Sequence, residues 1–149
     1  MRSRASSLML RRLYLSLPQG QRQFLKFSFV GVVGFLVDTG TLSILKRGFG
    51  FDPVIARVVS EFAIAMTVTW LLNRSLTFRD QRAGSVFREY LRFATANSIG
   101  NLLNFAVHSV LVENVGLFIR IPELGIVVGS AVGLIFNFTG SKYFVFRRT

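Results

Sequence analysis

Four long apolar runs with few charges restrict the fold of this chain more than any other feature. Crossing a hydrocarbon layer about 30 Å thick takes roughly 20 helical residues at about 1.5 Å each, and each run is that long. Allowing a few residues at each end, the runs cover Phe24–Leu45, Val54–Leu76, Leu91–Val112 and Leu124–Phe146. The chain is also 51% hydrophobic, which is too apolar for a soluble domain of 149 residues to bury in one core. The sequence therefore predicts an all-α, multi-pass integral membrane protein with four transmembrane helices.

The basic residues are concentrated on one side of these runs. Of the 18 lysines and arginines, fourteen belong to the N-terminal end, the middle connection or the C-terminal end: Arg2, Arg4, Arg11, Arg12, Arg22, Lys26, Arg74, Arg79, Arg82, Arg88, Arg92, Lys142, Arg147 and Arg148. The other side holds only Lys46, Arg47, Arg57 and Arg120. Because cytoplasmic loops carry an excess of Lys and Arg, both termini and the middle connection are predicted to be cytoplasmic.

This basic surface predicts a lipid partner. Anionic membrane lipids attract basic residues next to a membrane, and we expect the chain in the cytoplasmic (inner) membrane. A nucleic-acid partner is not expected, because the charges flank apolar runs and form no continuous basic face.

Residues 1–22 form a basic N-terminal segment with two interpretations. Arg11 and Arg12 interrupt its apolar stretch and no clean small-residue cleavage site follows, so we expect it to be retained. Leucines surround that pair, at Leu8, Leu10, Leu13, Leu15 and Leu17. This pattern favours an amphipathic segment at the membrane surface, and a disordered basic tail is the alternative. Residues 23–149 are predicted to form one transmembrane domain.

Within that domain the sequence repeats. FLKF at Phe24–Phe27 matches YLRF at Tyr90–Phe93, an offset of 66, and the same offset places Gly34 on Gly100 and Asp38 on Asn104. With two more residues inserted, TWLLNRSLTFR at residues 69–79 falls on NFTGSKYFVFR at residues 137–147. The sequence therefore predicts two duplicated helical hairpins, residues 24–79 and 90–147. Since each hairpin has two spans, both enter from the same side and are related by an axis along the membrane normal.

The repeated residues are also those at which the chain resembles a known family. The opening FLKFSFVG at Phe24–Gly31 and the hairpin ends NRSLTF and SKYFVF follow the motifs of the GtrA-like family of small four-span membrane proteins. The resemblance covers roughly residues 22–148. The family pattern N-F-x-x-N-R is divided here, with one asparagine at Asn73 in the first repeat and the other at Asn137 in the second. The role of the two asparagines is therefore expected to be shared between the halves.

The resemblance implies flippase-type membrane translocation of a polyprenyl-phosphate-linked sugar for cell-envelope polysaccharide modification or synthesis. The carrier would be undecaprenyl phosphate or a related polyprenyl phosphate. A second interpretation is a non-transporting membrane subunit that anchors or assists a polyprenyl-phosphate glycosyltransferase, which would then be its partner. A third, a proton-coupled exporter of water-soluble cations through Asp38 or Glu61, is disfavoured by basic residues suited to phosphate.

Polar residues inside the apolar runs are the candidates for a translocation path. Asn97, Asn101, Asn104 and His108 are spaced four, three and four residues apart, which places them on one helical face. Asp38 lies about 21 Å along its helix from Phe24, at a depth where an unpaired charge costs several kcal/mol. The complete predicted path consists of Asp38, Glu61, Asn73, Asn97, Asn101, Asn104, His108 and Asn137. The alternative for the amides and the histidine is hydrogen bonding between helices, at roughly 0.6 to 2 kcal/mol each.

Two further patterns predict packing. Arg57 and Glu61 are four residues apart, a spacing that suits an ion pair within one helix. Gly125, Gly129 and Gly133 repeat every four residues and form a face that allows close helix approach. This glycine face is predicted to pack within the chain or against a second copy. Because four helices enclose little space, we expect a homo-oligomer with the glycine face as a candidate contact.

Basic residues recur at the predicted cytoplasmic ends of both hairpins: Lys26, Arg74, Arg92 and Lys142. One interpretation is that they bind a phosphate headgroup, with Arg as a bidentate fork and Lys as a point charge. The other is that they mark topology, with long side chains that reach the membrane interface.

The sequence gives no indication of catalysis. It has no cysteine and one histidine, so neither a thiolate nor a histidine-based metal site is expected. No Walker-type phosphate loop is present, and one histidine and one buried aspartate do not make a hydrolytic site. We therefore expect no enzymatic activity, no cofactor and no metal.

Overall fold

The computed structural model of the protein describes residues 9, 12–81 and 84–147. Four long helices account for most of them, and each contains one predicted span almost entirely. The four long helices are α1 Gln19–Gly48, α2 Pro53–Thr77, α3 Val86–Asn114 and α5 Pro122–Val145. A short helix, α4 Gly116–Arg120, lies between α3 and α5. In the N-terminal segment, residues 12–16 are helical. Residues 1–8, 10 and 11 of that segment lie outside the described part, and residues 19–22 form the first turn of α1.

Proline and aspartate fix where the helices begin. Pro18 precedes α1, Pro53 is the first residue of α2, and Pro122 is the first residue of α5. Proline suits the first turn of a helix because its missing N–H would have no partner there. Asp52 caps α2, since its Oδ1 accepts from the backbone N–H of Val54 at 2.8 Å and of Ile55 at 3.3 Å.

Three of the long helices are long and apolar enough to cross a membrane: α1, α2 and α5. Helix α3 has 29 residues but is not among them, because the asparagines of its polar face lower its hydropathy. Large apolar side chains also cover the outside of the bundle, as at Phe29, Phe35 and Phe105, which are all about two-thirds exposed. In water such a surface would be costly, whereas lipid accommodates it. The chain is a multi-pass integral membrane protein.

The long helices form two antiparallel pairs. In the first pair, Lys26 near the start of α1 donates to the carbonyl of Leu76 near the end of α2, at 3.2 Å. Farther along the same pair, Ser60 of α2 donates to the backbone carbonyl of Asp38 in α1 at 2.7 Å. In the second pair, α3 and α5 run past each other with His108 beside Gly125 at one end and Ala96 beside Gly140 at the other.

Aromatic side chains join the two pairs at the end of the bundle where α1 and α3 begin. Phe24 of α1 meets Phe138 of α5 edge-on, with ring centroids 5.2 Å apart and planes at 86°. Trp70 of α2 meets Tyr90 of α3 in the same way, at 5.3 Å and 84°. Under the predicted repeat, Phe24 corresponds to Tyr90 and Trp70 corresponds to Phe138. Corresponding positions of the two hairpins therefore make matching contacts.

Both hairpins end in a π-helical turn, at corresponding positions of the two repeats. These turns are Asn73–Thr77 and Ser141–Val145. Each is completed by a backbone bond from the following phenylalanine, Phe78 N–H to Asn73 and Phe146 N–H to Ser141, both 2.8 Å. The two phenylalanine rings then stack on each other, fully buried.

Glycines allow close contact within each pair. A Cβ at Gly34 of α1 would collide with Thr69 of α2, and a Cβ at Gly100 of α3 would collide with Asn137 of α5. The glycine face of α5, Gly125, Gly129 and Gly133, is buried against Asn104 and His108 of α3. The interpretation of that face as a contact between copies is therefore wrong. It packs within the chain because the polar stripe of α3 needs room for its side chains.

Candidate functional site

A cavity of about 490 Å³ lies between the helix pairs, and all four long helices line it. It reaches from Phe27 to Asp38 along α1, a distance of about 16 Å at 1.5 Å per residue. Seven of the eight residues of the predicted path line it: Asp38, Glu61, Asn73, Asn97, Asn101, Asn104 and Asn137. The structure therefore brings together, in one space, polar residues that are far apart in the sequence.

The two asparagines divided between the repeats both line this cavity. Asn73 belongs to the end of α2, where its Oδ1 accepts from Thr77 at 2.9 Å. Asn137 belongs to α5, and its Oδ1 is buried without a hydrogen-bond partner among the described residues. Both halves thus contribute one of these asparagines to the same cavity, and a shared role for them stays a prediction.

His108 lies outside the cavity. Its ring packs toward Gly125 near the far end of α3, and its Nδ1 is buried without a hydrogen-bond partner in the part of the chain that the structure describes. The spacing correctly places it on the same helical face as the asparagines. However, α5 covers that face at the level of His108, so the cavity does not extend to it.

A cluster of charges occupies the end of the cavity near the α1–α2 turn. Arg57 donates from Nη1 to Asp38 Oδ2 at 3.1 Å and from Nε to Glu61 Oε2 at 3.1 Å. Ser60 also donates to the Asp38 carboxylate. The Arg57 side chain is 53% exposed, whereas those of Asp38 and Glu61 are 15% and 27% exposed. The cluster thus has one cation and two carboxylates, with the cation directed outward.

The predicted pair of Arg57 and Glu61 is confirmed, and the structure adds Asp38 to it. The sequence did not identify Arg57 as a cavity residue. Asp38 and Arg57 are 19 positions apart across the turn between α1 and α2. Their contact depends on the register of that hairpin, and the spacing rules for a single helix do not give this register.

In the part of the chain that the structure describes, the amides of the cavity do not hydrogen-bond between helices. Asn97 donates to the carbonyl of Phe93 in its own helix at 2.9 Å, and Asn73 bonds within α2. Among the described residues, the side chains of Asn101 and Asn104 make no protein hydrogen bond. Each amide carries both donors and an acceptor, so these groups are free to bond to hydroxyl groups of a ligand.

The four predicted headgroup residues lie together at the end of the bundle where α1 and α3 begin and α2 and α5 end. None of them lines the cavity. Lys26 bonds to the carbonyl of Leu76, and the Arg92 guanidinium lies 5.5 Å from the ring centroid of Phe144. Arg74 and Lys142 each lie over the aromatic ring four residues earlier, at 5.6 and 5.7 Å.

Glu89 is a site residue that the sequence did not indicate. It is only 2% exposed, and its Oε1 accepts from Arg74 Nη1 at 2.6 Å and from Trp70 Nε1 at 3.1 Å. A buried carboxylate is stable only when it is paired and hydrogen-bonded, which explains why Arg74 turns toward it. The partner lies 15 residues away across a connection, so no local spacing indicated the pair.

Comparison with known proteins agrees with this architecture. The model of the GtrA/DPMS transmembrane domain matches residues 26–146. A dolichol-phosphate mannosyltransferase of Pyrococcus furiosus is 32% identical over 125 residues. The alignment covers 84% of this chain but 32% of that enzyme, so the chain spans about a third of the relative's length. Residues 26–146 contain the cavity and the aromatic junction, and the chain belongs to the GtrA/DPMS transmembrane domain family.

Proposed function

We propose that the protein translocates a polyprenyl-phosphate-linked sugar across the cytoplasmic membrane. The observation that carries the proposal is the cavity, in which nine hydrophilic side chains from four helices face one space, the seven path residues together with Arg57 and Thr69. Its volume of about 490 Å³ falls in the roughly 300–1,000 Å³ range of small-molecule sites. Family membership and the relative's name support a membrane role that involves polyprenyl-phosphate sugars.

In this proposal all four long helices cross the membrane and both termini lie in the cytoplasm. Helix α3 is the least apolar of the four, but its polar face is turned toward α5 and the cavity. Lipid therefore meets its apolar side, where Leu102 and Phe105 are about two-thirds exposed. The basic residues at the start of α1 and α3 then lie at the inner leaflet, as the positive-inside rule requires.

The sugar is the part of the substrate that needs the cavity. Its hydroxyl groups lose their water on entering the bilayer, and each unpaired group would cost several kcal/mol. The amides of Asn101 and Asn104 and the carboxylate of Asp38 replace that water. The phosphate stays near the basic end of the bundle, and the polyprenyl chain stays in lipid.

Transport is tested with purified protein in vesicles that contain a fluorescent polyprenyl-phosphate sugar, by following its arrival in the opposite leaflet. Wild-type protein is expected to accelerate the transfer, and Asn104→Leu or Asp38→Leu to abolish it. Asn114→Leu is the matched control, because Asn114 bonds within α3 to Val110 at 2.9 Å and does not line the cavity. Wild-type protein that leaves the transfer rate at the level of protein-free vesicles would refute the proposal.

A second function is favoured by one observation, the similarity to a mannosyltransferase of which this chain spans 32%. The chain would then anchor or assist a polyprenyl-phosphate glycosyltransferase without transporting lipid. Co-purification of such an enzyme, together with vesicles that show no acceleration, would favour this function.

In either case we assign no catalytic step to this chain. The cavity is formed by one chain, so the homo-oligomer stays a prediction that the mechanism does not require.

A further inference from the structure

The basic residues that close the two repeats have different electrostatic surroundings. The guanidinium of Arg74 makes a 2.6 Å ion pair with Glu89, whose side chain is 1% exposed. Trp70 donates to the same carboxylate oxygen at 3.1 Å. The charge of Arg74 is therefore neutralised inside the protein, and an approaching phosphate would meet the carboxylate as well as the cation.

Within the described ranges, Lys142 has no such carboxylate partner. The offset that aligns the starts of the repeats, 66 residues, places Gln23 where the other repeat has Glu89. Gln23 is buried, at 7% exposed, and carries no charge. Among the described residues, no ion pair includes Lys142. Its ammonium lies over the rings of Phe138 and Tyr143, at 5.7 and 5.2 Å from their centroids.

An apolar groove of about 530 Å³ adjoins this lysine. Its walls are mostly hydrocarbon, from Leu17, Gly20, Gln21, Phe24, Leu25 and Phe138. Gly20 places the ammonium at the edge of the groove, because a Cβ there would lie 3.2 Å from Lys142 Nζ. A cation beside an apolar groove is complementary to a phosphate joined to a hydrocarbon chain.

We propose that the phosphate of a polyprenyl monophosphate binds at Lys142, with its first isoprene units in this groove, and that Arg74 does not bind it. This inference rests on the proposed function and adds the position of the headgroup. Arginine is the better phosphate ligand when both side chains are free, since it offers a bidentate fork. Glu89 reverses that preference here, because its buried carboxylate already pairs with Nη1 of Arg74 and neutralises the charge.

The test measures binding of undecaprenyl phosphate to the full chain in lipid nanodiscs. Lys142→Gln is expected to lower the affinity by about tenfold or more, since one charge-assisted contact is lost. The matched variant is the double substitution Arg74→Gln with Glu89→Gln, which removes the other cation together with its buried partner. The factor by which this double variant loses affinity is expected to be at least about fivefold smaller than the factor for Lys142→Gln. Gel filtration and circular dichroism check that both variants keep their fold.

Glu89→Gln alone gives an independent readout, because it introduces at position 89 the uncharged residue that the equivalent position, Gln23, already has. Arg74 is then released, and the binding capacity is expected to rise from one undecaprenyl phosphate per chain toward two. A loss in the double variant that exceeds the loss in Lys142→Gln would place the phosphate at Arg74 and overturn the inference. The inference would also be overturned if undecaprenol bound with the same affinity as undecaprenyl phosphate. The same holds if inorganic phosphate bound as strongly as undecaprenyl phosphate and its binding depended on Lys142. These outcomes leave the vesicle transfer rate as a separate measurement of the proposed function.

Discussion

Phe78 and Phe146 stack face to face, with ring centroids 4.8 Å apart and planes 15° apart, and both are completely buried. They end the two repeats, so the contact joins equivalent points of the two hairpins. Phe93 of α3 lies 6.2 Å from Phe146 and Phe27 of α1 lies 6.3 Å from Phe78, which extends the same correspondence. The aromatic junction is therefore where the two hairpins are fixed to each other.

Removing the ring of Phe78 or that of Phe146 should lower the free energy of unfolding by similar amounts. Phe78→Ala and Phe146→Ala each leave a cavity in the junction, and we expect a loss of about 2–3 kcal/mol in the free energy of unfolding. This is below the roughly 3–5 kcal/mol of soluble cores, because lipid removes most of the transfer contribution. Unfolding in mixed micelles measures the difference. Phe144→Ala is the control, since that ring is 50% exposed, and a loss at only one of the two buried positions would contradict the account.

Gly129→Ala should destabilise the α3–α5 pair. The added Cβ would lie 2.6 Å from the backbone oxygen of Asn104, which cannot move without shifting α3. We expect a cost of about 1–3 kcal/mol, which exceeds the helix-propensity gain of about 1 kcal/mol. Gly40→Ala has open space within 4 Å and should be neutral or slightly stabilising. Thermal unfolding in detergent compares the two, and equal stability would mean that the glycine face does not hold this pair.

Arg57 and Asp38 should be energetically coupled, although weakly. The guanidinium is about half exposed, so screening limits the pair, and we expect a coupling free energy of about 0.5–1 kcal/mol. A double-mutant cycle with Arg57→Gln and Asp38→Asn measures it. The exposed pair of Arg79 and Asp80, at 3.6 Å, is the control and should give a smaller value. Additive effects at Arg57 and Asp38 would show that the ion pair does not stabilise the fold.

The proposed threading predicts which connections face the cytoplasm. The chain contains no cysteine, so a single introduced cysteine reports its own accessibility. Ser85→Cys, in the middle connection, should react with an impermeant thiol reagent only from the cytoplasmic side. Phe49→Cys, in the turn between α1 and α2, should react only from the opposite side. Labelling of both positions from one side would rule out the two-hairpin threading.

The sequence predicted the elements of the fold because hydrophobic length and polar spacing are local properties. The four apolar runs correspond to the four long helices, and the spacing of four and three residues correctly placed Asn97, Asn101 and Asn104 on one face. The repeat indicated Phe78 and Phe146 as equivalent positions. Their stacking required the structure, because it depends on how two helix ends pack.

The ion pairs across connections could not be predicted. Asp38 meets Arg57, and Arg74 meets Glu89, only because the hairpin register and the packing of α2 against α3 bring them within 3.1 and 2.6 Å. The sequence also left open whether the glycine face packs within the chain. The volume of the side chains on α3 decides whether the face packs within the chain. The structure shows this packing in the contact between Asn104 and Gly129.

Whether the sugar enters the polar cavity can be tested with the variant Asn101→Cys. Asn101 is exposed and lines the cavity, so a small charged thiol reagent should modify this cysteine in vesicles. A polyprenyl-phosphate sugar should slow the modification several-fold, whereas the same lipid should not affect Asn114→Cys on the same helix. Modification of Asn101→Cys at the same rate with and without the lipid would contradict the account.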